Sequence, residues 1–436
     1  MNIVFCTTCK GRTQHLSRTL PQNLTDNPDA KFVVLDYNDR DSLASYLQTS
    51  HANDMASGRL CVYQYKEPVP FHMAHAKNMA HRLGILEGGD VLVNLDADNF
   101  AGAGFAAFLR DQFRNENIFL WSRMIKEGDG RLPRGISGRI AVTKDAFLLA
   151  GGYDEKYSTH SPDDKDFNAR LRRLGFEGRE VDPRFLSAIL HNDRMRYREY
   201  PHAAAQVAYD DFQITHDGTV ANAGAIGCGT VFKNFSSDPI LLGKVPTRIF
   251  GIGMHRTATT SLHFALKILG YRSAHWPSAH WAKAIWREMN QTGKSLTLER
   301  AYALSDLPLP LLFRRLDTAY RGSKFILTLR DENRWLESVR KHWSPEHNKF
   351  RAAWDTDPFS HRVHQLLYGR TDFEPTVFLA KYRKHNAQVL EYFKDRPDDL
   401  LVMDMDKGCG WQELCAFFGK PVPNQPYPSS SHLAQM

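Results

Sequence analysis

Short apolar runs alternate with helical stretches from Asn2 to Thr143, the alternation breaks off, and further along the chain it resumes. Asn2–Thr8, Lys31–Asp36, Leu60–Tyr65, Asp90–Leu95, Ile118–Ser122 and Arg139–Thr143 read as strands. Gln14–Leu20, Arg40–Gln48, Ala74–Gly84 and Ala103–Arg114 read as helices between them. This order predicts an α/β domain with a mostly parallel sheet. From Asp217 to Pro246 the texture changes: Gly224, Gly227 and Gly229 cluster and Asn, Ser and Asp follow, which reads as a linker. Then Thr247–Ile252, Lys324–Leu329 and Asp399–Asp404 read as strands, and Thr259–Leu269, Glu332–Lys341 and Trp411–Phe418 as helices. The expected layout is an α/β domain over 1–216, a linker over 217–246 and a second α/β domain over 247–436. A length of 436 residues, too great for one core of usual size, agrees with two domains.

Composition narrows the function classes. The formal net charge of +7 suits anionic small substrates as well as nucleic acid, but no zinc-finger, homeodomain or RNA-recognition signature accompanies it. Nucleic acid is therefore not an expected partner. No run approaches the ~18–20 apolar residues of a membrane span. Ile3–Cys6 is too short for a signal-peptide core, and the six cysteines are sparse and irregular. A cytoplasmic location is expected. Cys6 and Cys9 form a CxxC without a second pair, and read as small residues of a buried strand rather than as a zinc or redox site.

In the first domain the strand Val91–Leu95 runs into Asp96-Ala97-Asp98. Two carboxylates one residue apart at the end of a buried strand are costly unless a cation joins them. Ligands bind at such strand ends, and hard oxygen donors suit Mg2+ or Mn2+ bridging a diphosphate. Downstream lie Gly151-Gly152-Tyr153-Asp154-Glu155 and Asp163-Asp164-Lys165-Asp166-Phe167, where a carboxylate is placed to deprotonate an acceptor hydroxyl. His191 ends the apolar run Phe185–Leu190, and imidazole suits Mn2+.

With these residues in view, the segment 1–200 resembles the GT-A glycosyltransferase fold, in particular the inverting β-1,4-galactosyltransferase-like group. The resemblance implies a metal-dependent transferase using a nucleotide sugar, a UDP-sugar by preference, on a glycan or glycolipid acceptor. It places Arg12 in a basic turn that meets the nucleotide and Asp36 on its base or ribose. Phe71 and Ala74-His75-Ala76-Lys77-Asn78 echo a family helix that brings Lys77 to the nucleotide. Asp96, Asp98 and His191 fall on the metal ligands, and Asp164 on the catalytic base. The sequence departs from the pattern at His160-Ser161-Pro162, where the family has Trp-Gly-Gly, and at Ala188, where it has a methionine ligand.

In the second domain the strand Arg248–Ile252 leads into Gly253-Met254-His255-Arg256-Thr257-Ala258-Thr259-Thr260-Ser261 and a helix. Free N–H groups and the positive end of a helix dipole make such a loop an anion site. The hydroxyls of Thr257, Thr259 and Thr260 add donors and Arg256 adds charge. The loop lacks the Gly-Lys-Ser/Thr ending of a Walker motif, which disfavours a P-loop kinase.

From Thr247 to Pro428 the chain resembles the PAPS-dependent sulfotransferases, with a P-loop-like α/β fold. The resemblance implies that the loop, Ala258 included, cradles the 5′-phosphosulfate of PAPS and that Arg256 contacts the transferring group. It implies that Arg330 and Ser338 bind the 3′-phosphate. Asp306, in Ser305-Asp306-Leu307-Pro308-Leu309, takes the place of a catalytic histidine, with His275 and His280 as further candidates. Ala258 stands where the family usually has glycine, so a left-handed backbone there carries strain. Together the two resemblances imply a bifunctional carbohydrate-modifying enzyme. The alternative is a sulfotransferase whose first domain only binds carbohydrate.

Overall fold

The computed structural model describes residues 1–40, 42–67, 70–114, 117–122, 136, 138–157, 162–189, 218–275, 279–346 and 357–429. The chain forms two compact units, Met1–Val245 and Pro246–Met436, each mixed α/β.

The first unit is built on β1 (Ile3–Cys9), β2 (Lys31–Tyr37), β3 (Leu60–Tyr65) and β4 (Val91–Asn94), in the spatial order β3-β2-β1-β4 and all parallel. Their residues are apolar on both faces, as a sheet covered on both sides requires. Phe5, Phe32 and Phe105 anchor one face, with the Phe5 and Phe32 rings stacked at 4.8 Å. Beyond β4 the sheet continues through β7 (Ile140–Thr143), β6 (Ile118–Trp121) and β8 (Glu177–Glu180). A small ribbon pairs β5 (Asn99–Phe100) with β9 (Ser187–Ala188). Three helices matter for the site: α1 (Thr13–Asp26), α2 (Met73–Leu86) and α3 (Asp163–Arg173).

The stretch read as a linker, 217–246, differs from expectation. β10 (Gly229–Lys233) pairs antiparallel with β3, and β11 (Pro239–Leu242) closes that edge of the same sheet. Asn234 extends the pairing, its N–H donating to Val62 O at 2.7 Å and its Oδ1 accepting from Val62 N at 2.8 Å. The glycines that suggested a linker allow close packing instead. A Cβ on Gly227 would fall on the backbone of Met79 in α2.

The second unit holds a five-stranded parallel sheet of order β13-β14-β12-β15-β16. These are β12 (Ile249–Gly251), β13 (Ser273–His275), β14 (Ala303–Ser305), β15 (Lys324–Leu329) and β16 (Leu400–Asp404). The helices that frame its functional edge are α4 (Thr259–Ile268), α5 (Glu332–Trp343), α6 (Pro358–Tyr368) and α7 (Pro375–Phe393). One core lies under β12 and β15 around Phe250, Phe325 and Leu327; a second gathers Met254, Trp335, Trp343, Tyr368 and Phe378 beside the loop after β12.

Candidate functional site

In the first unit the carboxyl ends of β1, β2 and β4 share one sheet edge. Arg12 caps α1, its carbonyl accepting from His15 N at 2.9 Å and Leu16 N at 3.0 Å. Asp36 pairs in register with Cys9 and is buried; its Oδ1 accepts from Asp39 N at 2.7 Å and its Oδ2 from Gln64 Nε2 at 3.3 Å. Burial raises its carboxyl pKa against these hydrogen bonds. Asp39, which no motif singled out, accepts from Gly11 N and so ties the Arg12 turn to the end of β2. Cys6 and Cys9 are both buried in β1, and burial raises both thiols, the behaviour of inert core cysteines.

The centre of this unit is Lys77 of α2. Its ammonium lies 2.8 Å from Asp163 Oδ2 and 2.7 Å from Asp164 Oδ1, at the first turn of α3, and 5.0 Å from the Tyr153 ring centroid. Asp164 lies close to Asp96: a Cβ on Gly138 would sit 3.0 Å from Asp96 Oδ2 and 3.3 Å from Asp164 Oδ2, so the glycine keeps open a space that both carboxylates border. Burial and the neighbouring Asp163 push Asp164 up to about 7, against the pull of Lys77. Burial also raises Asp96; Lys77 opposes this and the nearby Asp98 adds to it. Asp98 accepts from Asn99 Nδ2 at 2.7 Å, and its carbonyl accepts from Ile189 N at 2.8 Å. The buried Arg139 also feels both Asp96 and Asp98.

The hard oxygens of Asp96 and Asp98 and their mutual repulsion fit a divalent cation, which would relieve it. His191, the third expected ligand, lies outside the described residues, as do His160 and Ser161. Among the described residues no group of three or more His, Cys, Asp or Glu side chains is placed to hold a metal. Asn78, one residue after Lys77, braces the turn before α3: its side chain bonds Tyr153 N and Tyr153 O, both at 2.7 Å, and Glu155 Oε1 at 2.8 Å. Gly152 is needed there, since its φ is +68° and a Cβ would strike the Asn78 amide.

In the second unit the residues expected around a nucleotide come together. Arg256 Nε donates to Ser338 Oγ at 3.0 Å, and Arg330 Nη1 reaches Arg256 O at 3.4 Å. Burial and the adjacent Arg330 lower the Arg256 pKa, with Asp306 opposing, so two guanidinium groups repel each other where an anion would join them. Arg330 is held from behind. Tyr382 of α7 donates to Arg330 O at 3.0 Å and accepts from Arg330 N at 2.9 Å, while Asp406 lies 3.8 Å from its Nε. The loop itself is buttressed by Trp335 Nε1, which donates to His255 O at 3.1 Å, and by His385 Nε2, 2.8 Å from Ile252 O.

Arg256 and Ala258 are both left-handed, with φ of 67° and 68°, and Ala258 caps α4. The strain expected at Ala258 is therefore present. Thr257 departs from expectation. It is fully buried, its hydroxyl donating to Met254 O at 2.6 Å and meeting Thr328 Oγ1 at 2.7 Å, so the hydroxyl serves the loop rather than an open anion site. Thr259 and Thr260 instead reach His275 Nε2 at 3.0 and 3.3 Å. Asp306 follows β14 with φ 80°, its Oδ2 3.2 Å from His275 Nε2 and its Oδ1 accepting from Leu307 N at 2.8 Å. Burial raises its carboxyl pKa, but the bond and charge of His275 outweigh this and hold it below the usual range.

Two further histidines flank this place without having been singled out. Burial and Arg256 lower His342 to about 4, and burial holds His255 well below its ordinary value, so both stay neutral near pH 7. His342 lies four residues after Ser338 on α5, a spacing that puts both on one helix face. His255 stands inside the loop motif, where only its neighbours carried recognisable chemistry.

Residues 248–436 match the family of sulfotransferase domains. The match spans nearly all of the second unit, and that family implies a sulfonate donor and an acceptor. A curated relative, the Ava biosynthesis cluster protein M of Aspergillus versicolor, is 25% identical over 216 residues, covering 42% of this chain and 79% of that protein. A crystal structure of S. aureus TarS aligns with a TM-score of 0.35 and 11% identity over 45% of this chain; the chain spans only 38% of its length. That likeness is too slight to define a fold. Among the described residues no helix is long and apolar enough to cross a membrane.

Proposed function

We propose that the second unit transfers a sulfuryl group from PAPS to a hydroxyl of a glycan or glycolipid. The observation that carries this reading is the convergence of Arg256, Arg330 and Ser338 at the mouth of the loop before α4. The acceptor oxygen attacks sulfur, the bond from sulfur to the phosphate oxygen breaks, and PAP leaves with the electron pair. Asp306 takes the acceptor's proton, and Arg256 stabilises the charge that develops on the leaving phosphate. The test is PAP binding to the full chain by calorimetry. Arg330→Ala removes charge-assisted hydrogen bonds worth about 1.5–3 kcal/mol, a loss of roughly 10- to 150-fold in affinity. Wild-type protein that binds ATP and not PAP refutes the reading in favour of a kinase.

For the first unit we propose a GT-A fold and inverting glycosyl transfer from a nucleotide sugar, a UDP-sugar by preference. The reading is supported by Lys77, Asp163, Asp164 and Asp96 meeting beside the gap kept by Gly138. Asp164, its affinity for a proton raised, serves as base toward the acceptor hydroxyl. Arg12 and Asp36 meet the nucleotide, and Asp96, Asp98 and His191 would hold Mn2+ or Mg2+. That ion supplies Lewis-acid neutralisation of the leaving diphosphate. Asp98→Ala is expected to abolish Mn2+-dependent turnover of a UDP-sugar while PAP binding stays intact. Loss of both in a folded protein refutes two separate sites. Sugar binding without turnover in the wild type leaves the first unit a carbohydrate-binding module.

A further inference from the structure

We propose that His275 is a positioning residue of the sulfuryl-transfer site, tying the carboxylate of Asp306 to the hydroxyls of Thr259 and Thr260 at the start of α4. The inference rests on the sulfotransferase reading and adds a link between its acceptor side and its phosphate side. His275 ends β13 and pairs in register with Ser305 of β14, the residue before Asp306. The strand order therefore brings the imidazole beside the carboxylate. Its Nε2 lies 3.2 Å from Asp306 Oδ2, 3.0 Å from Thr259 Oγ1 and 3.3 Å from Thr260 Oγ1.

Hydrogen-bond polarity then sets the arrangement. An ionised carboxylate only accepts, so the nitrogen facing it carries the hydrogen. A threonine oxygen at the same N–H also accepts, which turns its own hydroxyl hydrogen away from the ring. Thr260 is exposed, so its hydrogen is directed outward, where it can donate to a phosphate oxygen. One N–H, shared among three acceptors, thus fixes the polarity of both hydroxyls. The same contact fixes Asp306 from one side, while Leu307 N holds its other oxygen. A purely structural histidine would not be expected to meet three separate groups of one reaction site through a single nitrogen.

The test is a double-mutant cycle on the full chain, read as PAP affinity by calorimetry. His275→Ala and Thr260→Val are each expected to weaken PAP by roughly 5- to 20-fold. The double variant should bind within about 2-fold of the weaker single, because each change removes the same aligned hydroxyl. His275→Gln keeps an amide N–H and should recover affinity to within about 3-fold of wild type. Independent, multiplying effects overturn the proposal, as does His275→Ala binding PAP like the wild type. If His275→Ala does not fold, His275→Gln decides: a folded protein with more than about 10-fold loss overturns it. Wild type that binds no PAP at all refutes the sulfotransferase reading itself, an outcome separable from the others.

Discussion

Replacing Lys77 by Met tests whether the first unit is organised around one buried cation. The ammonium is 3% exposed and joins Asp163, itself 5% exposed, to Asp164. Removing it leaves two carboxylates together without that counter-charge, beside Asp96, whose charge Asp164 already feels. Breaking a buried ion pair from one side costs about 3–5 kcal/mol. In a unit spanning Met1–Val245, each kcal/mol moves the melting temperature by about 2–4 °C, so the transition should fall by roughly 6–20 °C. The assay is differential scanning calorimetry at pH 8, where the carboxyls are most ionised. The penalty comes from uncompensated charge rather than lost packing, so Lys77→Met combined with Asp163→Asn and Asp164→Asn should melt higher than Lys77→Met alone. A single variant that melts like the wild type, or a triple variant that melts lower than the single, refutes the reasoning.

Two other outcomes follow from the same geometry. Asp164 has its pKa raised to about 7 by burial and Asp163, above an unfolded value of about 3.9. Its contribution is therefore favourable below pH ~4 and lost as pH rises through about 7, and Asp164→Asn should flatten the fall in melting temperature of the first unit between about pH 4 and 7. A fall of unchanged slope counts against the raised carboxyl. In the second unit, a Cβ on Gly253 would land on Thr328 Oγ1 and lie 2.8 Å from Thr257 Oγ1. Gly253→Ala should cost about 1–3 kcal/mol by overpacking and weaken PAP as the loop shifts; PAP affinity equal to wild type would mean that the buried threonine pair does not set the loop.

The acid-ended strand at Asp96 and the loop from Gly253 were legible because each combines an apolar run with residues that are costly there unless they meet a ligand. Lys324–Leu329, carried by Phe325, Ile326, Leu327 and Leu329, was legible to the residue. Strands without that contrast were not. β8 is Glu-Gly-Arg-Glu and forms because β6 offers it an edge, not because its own pattern demands burial. β10 has one buried residue, Val231, and β11 leaves Leu241 75% exposed, so the sheet edge they build carried a loop's composition. At the proposed sites, side chains suited to bonding a ligand are recognisable by type, whereas those that hold them in place are ordinary. Tyr382 and Asp39 reveal their roles only once distant segments meet, and Thr257 shows how a hydroxyl of the right type can be consumed by the fold.

The nucleotide sites proposed for the two units have opposite electrostatics. In the second, guanidinium groups of Arg256 and Arg330 already repel each other at a helix start, so binding an anion relieves a strain that the protein carries alone. In the first, Asp96, Asp98, Asp163 and Asp164 outnumber the cations Lys77 and Arg139, and an anion arriving unaccompanied would worsen their repulsion. That acidic centre can receive a nucleotide diphosphate only with added positive charge, whether from a divalent ion, from protonation of Asp164 or from the Arg12 turn. The metal requirement proposed for the first unit and its absence from the mechanism proposed for the second thus have one physical origin, the sign of the charge that each strand edge leaves uncompensated.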